Sequence, residues 1–126
     1  ALPISEAWQL FAQGKKAEGL AAMKEAAAIE DSTEKAAVTP GPIAPARELL
    51  GYMLLENKQP REAFVEFDAV MKKEPNRFLA MYGAAKAAEA TKQTARAKSL
   101  FKQIAEMCKD AGPERPELQY ARKMAN

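Results

Sequence analysis

The sequence predicts an all-α fold, built from about seven helices that pair into repeated hairpins. Residues that favour helix, chiefly alanine, glutamate, lysine, leucine and methionine, are abundant, and aromatic residues make up only 7% of the chain. No segment shows the sustained alternation of apolar and polar residues that is typical of a half-buried strand. A pattern that recurs with a period of 34 residues groups the predicted helices into pairs.

The repeat is a set of four positions, with two small residues followed by a bulky and then an apolar residue, at spacings of 12, 4 and 3. Its three copies are Ala7, Gly19, Met23 and Ala26; Gly51, Ala63, Phe67 and Val70; and Ala85, Ala97, Phe101 and Ile104. The second and third copies lie 34 residues apart, whereas the first and second lie 44 apart. The first unit is therefore followed by ten extra residues.

Two antiparallel helices in close contact account for this pattern. A small residue on the first helix of each unit faces a small residue on the second helix, so the two backbones can approach closely. The bulky residue, one turn further along the second helix, fills the space beside them. The last residue of each set packs toward the following unit, which links the hairpins into a stack.

These residues resemble the tetratricopeptide-repeat (TPR) family, whose unit is 34 residues long. The best copy is "ARELLGYMLLENKQPREAFVEFDAVMKKEPN", residues 46–76, which ends with the expected Pro75. Asp31 and Lys109 stand at the corresponding places of the other units, and Glu6 occupies a position where an apolar residue is expected. The resemblance covers about residues 1–33 and 44–111, and it implies a right-handed α-solenoid. The stretch from residue 33 to 51 also resembles bacterial TPR-containing proteins.

Turn and cap signals place the helices at about 4–13, 16–31, 45–57, 60–74, 77–91, 94–109 and 116–125. Pro60 suits a first helical turn, where its missing N–H would have no partner. Gly14, Asn57-Lys58 and Thr91-Lys92 mark the tight turns within each hairpin. We therefore expect a single domain, 1–126, with unit one at 1–33, unit two at 44–77, unit three at 78–111 and a capping helix at 116–125.

A proline-rich insertion, residues 34–43, interrupts the repeat. With Pro45 just beyond it, three prolines lie within six residues, which predicts an extended and stiff segment. It could be a longer linker between units or a loop that carries contact residues. At the other end, Leu118, Ala121 and Ala125 share one side of the last helix, as expected of a helix that covers the end of a solenoid.

The composition argues against catalysis and against several classes of ligand. The chain has no histidine and one cysteine, Cys108, and its six glycines are isolated, so catalytic histidine systems, cysteine metal clusters and phosphate-binding glycine loops are excluded. We expect no enzymatic activity, no cofactor and no metal. The net charge of +2 favours no nucleic-acid partner, and no apolar run is long enough to span a membrane.

The first helices of TPR units usually line a concave groove, and the resemblance places eight residues there. They are Trp8, Phe11, Glu48, Tyr52, Leu55, Tyr82, Lys86 and Glu89. In the TPR subclass that clamps C-terminal carboxylates, lysine, arginine and asparagine face the groove. Here those places hold Ile4, Trp8, Leu49, Tyr52, Leu79 and Gly83, so carboxylate clamping is disfavoured. The same aromatic residues could instead wedge neighbouring helices together.

The predicted function is a non-catalytic scaffold that binds a protein or peptide in this groove. One alternative is a structural spacer within a larger repeat protein, or self-association through the uncapped N-terminal end of unit one. Another is an accessory segment of an enzyme whose catalytic domain lies upstream. Because the chain starts at Ala1 without a methionine, we expect a soluble segment of a longer protein, with any targeting signal outside it and its compartment unknown.

Overall fold

The computed structural model describes residues 4–36, 46–109 and 115–125, with residues 31–36 described by their backbone alone. Its helices are α1 (Ile4–Ala12), α2 (Lys16–Ala36), α3 (Ala46–Glu56), α4 (Pro60–Lys73), α5 (Phe78–Ala90), α6 (Thr94–Met107) and α7 (Pro116–Ala125). The described residues contain no strand. The predicted all-α fold with about seven helices is confirmed.

Helix α2 is longer than predicted. It was expected to end at residue 31 but continues to Ala36, so the extended conformation predicted for residues 34–36 is wrong. Glutamate, lysine and alanine fill these positions, and the first helix-breaking residue comes only at Pro40. The rest of the predicted insertion lies outside the described residues. Across it, the Glu30 carboxylate accepts a hydrogen bond of 2.9 Å from the N–H of Ala46, which caps the start of α3.

The helices form two layers. Consecutive helices pack against each other along the whole chain, and in addition α1 contacts α3 and α3 contacts α5. Among the described residues, no comparable contact joins α2 to α4 or α4 to α6. The odd-numbered helices α1, α3 and α5 are therefore closer together, as on the inner side of a curved stack. We call the surface that these three helices and α7 present the odd-helix face.

The aromatic ring of Phe67 occupies the space between the helices of units two and three. Phe67 is fully buried, and a Cβ atom added to Gly51 of α3 would lie 2.7 Å from its Cζ atom. A Cβ atom added to Gly83 of α5 would lie only 2.3 Å away. Gly83 was expected at the groove but is buried beneath this ring instead. Both glycines are thus needed because the side chain of Phe67 fills the volume that a Cβ atom would take.

Unit one shows the close backbone approach that the repeat predicts. A Cβ atom on Gly19 would come within 2.9 Å of the carbonyl oxygen of Ala7 and within 2.8 Å of the backbone nitrogen of Phe11. At the other end, Leu118 and Ala121 of α7 are buried with Phe101 and Ile104, and Ala125 packs against the same cluster. Helix α7 therefore covers the apolar end of α6 as predicted.

The turn within each hairpin repeats one backbone geometry. Gly14, Lys58 and Lys92 have φ values of +91°, +60° and +63°, and they occupy equivalent places in the three units. In each turn this residue and the next one donate their N–H groups back to the end of the preceding helix, as Lys92 does to Glu89 and Gln93 to Ala88. This is the Schellman arrangement, which requires a left-handed residue just after the helix.

We expect Lys58→Gly and Lys92→Gly each to raise the free energy of unfolding by about 0.5–1 kcal/mol. Glycine removes the Cβ strain of the left-handed conformation, and this gain exceeds its larger loss of backbone entropy. Urea unfolding measures the change. Gly14→Ala is the matched control: nothing lies within 4 Å of the added Cβ, so it tests backbone strain alone and should lower stability. This explanation would be contradicted if Gly14→Ala and the lysine-to-glycine substitutions changed the free energy of unfolding in the same direction.

Candidate functional site

Six of the eight predicted groove residues are half-buried on the odd helices, and two are buried in the core. The half-buried ones are Trp8, Tyr52, Leu55, Tyr82, Lys86 and Glu89. Phe11 is 5% exposed and Glu48 only 1%, so neither side chain can contact a ligand in this structure. The groove assigned from the sequence therefore has to be redrawn around the accessible residues.

Phe11 is buried because its backbone and Cβ atom lie against Gly19 of α2. Trp8, one turn earlier on α1, meets the edge of the Phe11 ring at a centroid distance of 5.8 Å. Trp8 remains half-buried and also packs against the core shared by units one and two. The buried Phe11 ring thus packs against Trp8, and part of the Trp8 ring remains accessible.

Glu48 is held by an arginine that the sequence analysis did not single out. Arg77 precedes α5, and its Nε–H donates to Glu48 Oε2 at 2.5 Å, while a second guanidinium nitrogen lies 3.3 Å from Oε1. The hydrogen bond to Glu48 raises the pKa of Arg77 above its ordinary value. The predicted ligand contact of Glu48 is therefore replaced by an ion pair that joins α3 to the start of α5.

Tyr52 connects α3 to α5 on the odd-helix face. Its ring meets the edge of Phe67 at 4.8 Å, and its hydroxyl donates to the carbonyl oxygen of Leu79. Burial, followed by the negative charge of Glu48, raises the pKa of Tyr52. The Tyr52 hydroxyl is thus hydrogen-bonded within the protein, and only part of the ring is accessible to a partner. Leu55, one turn on, packs against the same core.

Tyr82, Lys86 and Glu89 of α5 form one cluster with Tyr120 of α7, which we call the α5–α7 cluster. The Tyr120 hydroxyl lies 2.7 and 2.8 Å from the two Glu89 oxygens, to which it donates. Lys86 Nζ is 3.2 Å from Glu89 and 4.2 Å from the centre of the Tyr120 ring. The rings of Tyr82 and Tyr120 meet edge to face at 6.3 Å. Three predicted residues are brought together, and Tyr120 is added to them.

Tyr120 could have been predicted as a site residue from the sequence, because it is the aromatic residue of α7. The prediction assigned its apolar side to Leu118, Ala121 and Ala125 but gave Tyr120 no role. Arg77 offered a weaker signal because it lies outside the repeated positions. Its pairing depends on the distance between two units, which no local pattern encodes.

All three tyrosines of the chain have raised pKa values, which makes alkaline titration informative. Burial is the main cause for Tyr52 and Tyr82, and the hydrogen bond to Glu89 is the main cause for Tyr120. The folded state therefore keeps these protons more tightly than the unfolded chain, for which the ordinary pKa is 10.0. This stability is fully present below that pH and is lost as pH rises through the folded-state values.

We expect tyrosinate absorbance to appear near the ordinary pKa in urea-unfolded protein and at higher pH in folded protein. In the native sample it should rise together with the loss of helical circular dichroism. Tyr120→Phe should remove one step and leave the other two raised. If a tyrosine ionises at the ordinary pKa while the helical signal is intact, the burial of Tyr52 or Tyr82, or the hydrogen bond of Tyr120 to Glu89, is contradicted.

Other kinds of site are not found in the described part of the chain. Within it, no group of three or more acidic, cysteine or histidine side chains could hold a metal ion, and no helix is long and apolar enough to cross a membrane. An open cleft of about 390 Å³ lies between the turns at Lys58–Glu62 and Ala90–Lys92. It is lined by none of the predicted groove residues and is formed mainly by turn side chains.

Comparison with known proteins agrees with the stacked hairpins. The family model described as tetratricopeptide repeat matches residues 54–122, which is more than half of the chain. No curated protein and no solved structure matches the chain. Repeats of this kind are in general scaffolds for protein interaction and not catalysts. From the match and the arrangement of its helices, the chain belongs to the tetratricopeptide-repeat family.

Proposed function

We propose that this protein is a non-catalytic scaffold that binds a peptide or an extended protein segment along the odd-helix face. The observation that carries the proposal is a row of half-buried aromatic side chains. Trp8, Tyr52, Tyr82 and Tyr120 come in turn from α1, α3, α5 and α7. Large rigid aromatic residues lose little conformational entropy on binding and are frequent anchors at interfaces.

Leu79 adds an accessible apolar contact to this row. Its side chain is 37% exposed, although it lies on α5 next to the point where Tyr52 reaches that helix. Leu79 and the aromatic rings together offer apolar surface, whereas the charges of the α5–α7 cluster are already paired with each other. A bound segment would therefore gain most of its affinity from apolar and aromatic contacts.

The experiment selects phage-displayed random peptides that bind the protein. Fluorescence anisotropy then measures the affinity of the selected peptides, each carrying a fluorescent label. We expect Leu79→Glu and Trp8→Ala each to weaken binding by about tenfold, the effect of losing one well-packed anchor. Val65→Glu is the matched control, because Val65 is 63% exposed on α4, away from the odd helices. It introduces the same charge on the other layer.

Two outcomes would count against the proposal. If the selected peptides bind the Leu79→Glu and Trp8→Ala variants as tightly as the unaltered protein, the binding site lies away from the odd-helix face. A failure to select any peptide, together with light scattering that changes on dilution, would favour self-association instead. In that case Trp8→Ala, at the N-terminal end, should shift the protein to monomer.

A further inference from the structure

The open cleft between the hairpin turns of units two and three, which we call the turn cleft, has an excess of positive charge. It has a volume of about 390 Å³ and is lined by Lys58–Glu62 and Ala90–Lys92. Lys58, Arg61 and Lys92 are exposed, and none of them forms an ion pair with a described residue. Three cations therefore line the cleft with a single carboxylate, that of Glu62.

The charged residues that flank the two lining segments along the chain do not cancel this excess. They are Glu56, Glu66, Glu89 and Arg96. Glu66 is paired with Arg47, and Glu89 is paired with Lys86. Glu56 and Arg96 carry opposite charges, so together they add nothing to the balance. The excess of two positive charges at the lining is retained.

The other polar side chains of the lining are already engaged within the protein. The Gln59 amide donates a hydrogen bond of 2.9 Å to Glu62 Oε2, so this carboxylate is partly satisfied. The Thr91 hydroxyl lies 3.1 Å from the carbonyl oxygens of Ala87 and Ala88, to which it can donate. The three cations are thus the groups of the cleft that remain for a ligand, and they would attract an anionic one.

The two lysines stand at backbone positions for which lysine is a costly choice. Lys58 and Lys92 have φ values of +60° and +63°, in the left-handed region, where unit one has Gly14. Residues held in this conformation against their preference are concentrated at sites that clamp ligands. The turn itself needs only a left-handed residue, so its geometry does not explain why both positions beside the cleft carry a positive charge.

We propose that the turn cleft is a second binding surface, which holds an acidic peptide segment between Lys58, Arg61 and Lys92. This inference goes beyond the proposed function, because the cleft shares no residue with the aromatic row of the odd-helix face. Its volume lies within the range of about 300–1,000 Å³ that is usual for ligand sites, and is large enough for more than one acidic side chain. Its lining contains no aromatic residue on which a nucleic-acid base could stack, which favours a peptide.

The test measures the binding of a labelled peptide with a run of six glutamates by fluorescence anisotropy, at low salt of about 20 mM, where surface ion pairs are least screened. The same peptide with glutamines should not bind above background. The double variant of Lys58→Gly and Lys92→Gly should bind the glutamate peptide about fivefold more weakly, the effect of losing two exposed ion pairs. Both glycines are expected to stabilise the turns, so unfolding would not explain this loss. Lys58→Arg with Lys92→Arg keeps the charge and should keep the affinity.

The double variant of Lys72→Gln and Lys102→Gln is the matched control, because it removes the same number of charges elsewhere. Both lysines are exposed; Lys72 is ten residues beyond Glu62 on α4, and Lys102 is eight beyond the start of α6, rises of about 15 and 12 Å. The control should bind the glutamate peptide like the unaltered protein.

Three results would overturn the inference and leave the proposed function standing. The first is that the glutamate peptide does not bind the unaltered protein. The second is that the control weakens binding as much as the glycine variant, which would assign the effect to net charge. The third is that an oligothymidylate of six nucleotides displaces the peptide and binds more tightly than it, which would assign the cleft to nucleic acid.

Discussion

Phe67→Ala is expected to lower the free energy of unfolding by about 3–5 kcal/mol, the usual cost of removing a fully buried aromatic ring. The ring fills the gap between α3 and α5 that Gly51 and Gly83 leave open, and the backbones of these helices cannot close it without losing their other contacts. Because a domain of this size is stable by about 5–15 kcal/mol, the loss is a large fraction of the total. Urea unfolding followed by circular dichroism measures it.

A double-mutant cycle with Gly83 distinguishes this explanation from a general loss of packing. In the unaltered protein, Gly83→Ala should cost about 1–3 kcal/mol, because its Cβ would lie 2.3 Å from the Phe67 ring. In the Phe67→Ala background the same substitution should be neutral or stabilising, since the ring is gone and alanine favours the helix. Val65→Ala, at an exposed site, should change stability by less than about 0.5 kcal/mol.

If Phe67→Ala does not fold, Phe67→Leu offers the same cycle with a smaller initial loss, because leucine keeps much of the buried volume. Equal costs of Gly83→Ala with and without the ring would show that the two residues do not share this space. The packing described here between units two and three would then be wrong.

The ion pair of Glu48 and Arg77 should give the second large effect, with an unequal response to the removal of each partner. Arg77→Gln leaves the Glu48 carboxylate, 1% exposed, without its arginine and should cost about 3–5 kcal/mol. Glu48→Gln should cost less, because the Arg77 side chain is 24% exposed and can turn toward water. Thermal or urea unfolding of both variants at neutral pH measures the difference.

The double variant of Glu48→Gln and Arg77→Gln checks that the pair, and not the two side chains separately, is responsible. Two glutamines carry no buried charge and can hydrogen-bond to each other, so the double variant should be more stable than Arg77→Gln alone. Lys72→Gln is a suitable control, because the pair of Lys72 with Asp68 is exposed and should contribute little. Strict additivity of the two single changes would contradict the coupling.

Secondary structure could be predicted well because its signals are local. Gly14, Lys58 and Lys92 were recognised as turn residues, and all three adopt the left-handed conformation. The end of α2 was predicted less well. The prediction ended the helix at residue 31, ahead of the prolines of the insertion, although the residues between them favour helix. A proline at 40 restricts its immediate predecessor but does not prevent helix at residues 32–36.

Prediction of the candidate site was less complete, since position in a repeat does not determine exposure. Glu48 occupies the same place on α3 as Tyr82 does on α5, yet one is buried and the other half-buried. Glu48 pairs with Arg77, which is near it only after the units stack. The role of Gly83 likewise depends on Phe67, a residue of the preceding unit.

The sequence by itself determined the helical class, the 34-residue repeat, the small residues that bring paired helices together and the turns between them. Each of these follows from residue type and spacing within one unit. Only the tertiary structure decided which side chains of the odd helices stay accessible and which of their charges pair with each other. Stacking adds to each helix the neighbours from the units before and after it, so that Arg77 pairs with the buried Glu48 of unit two and Tyr120 of α7 bonds to Glu89 of unit three.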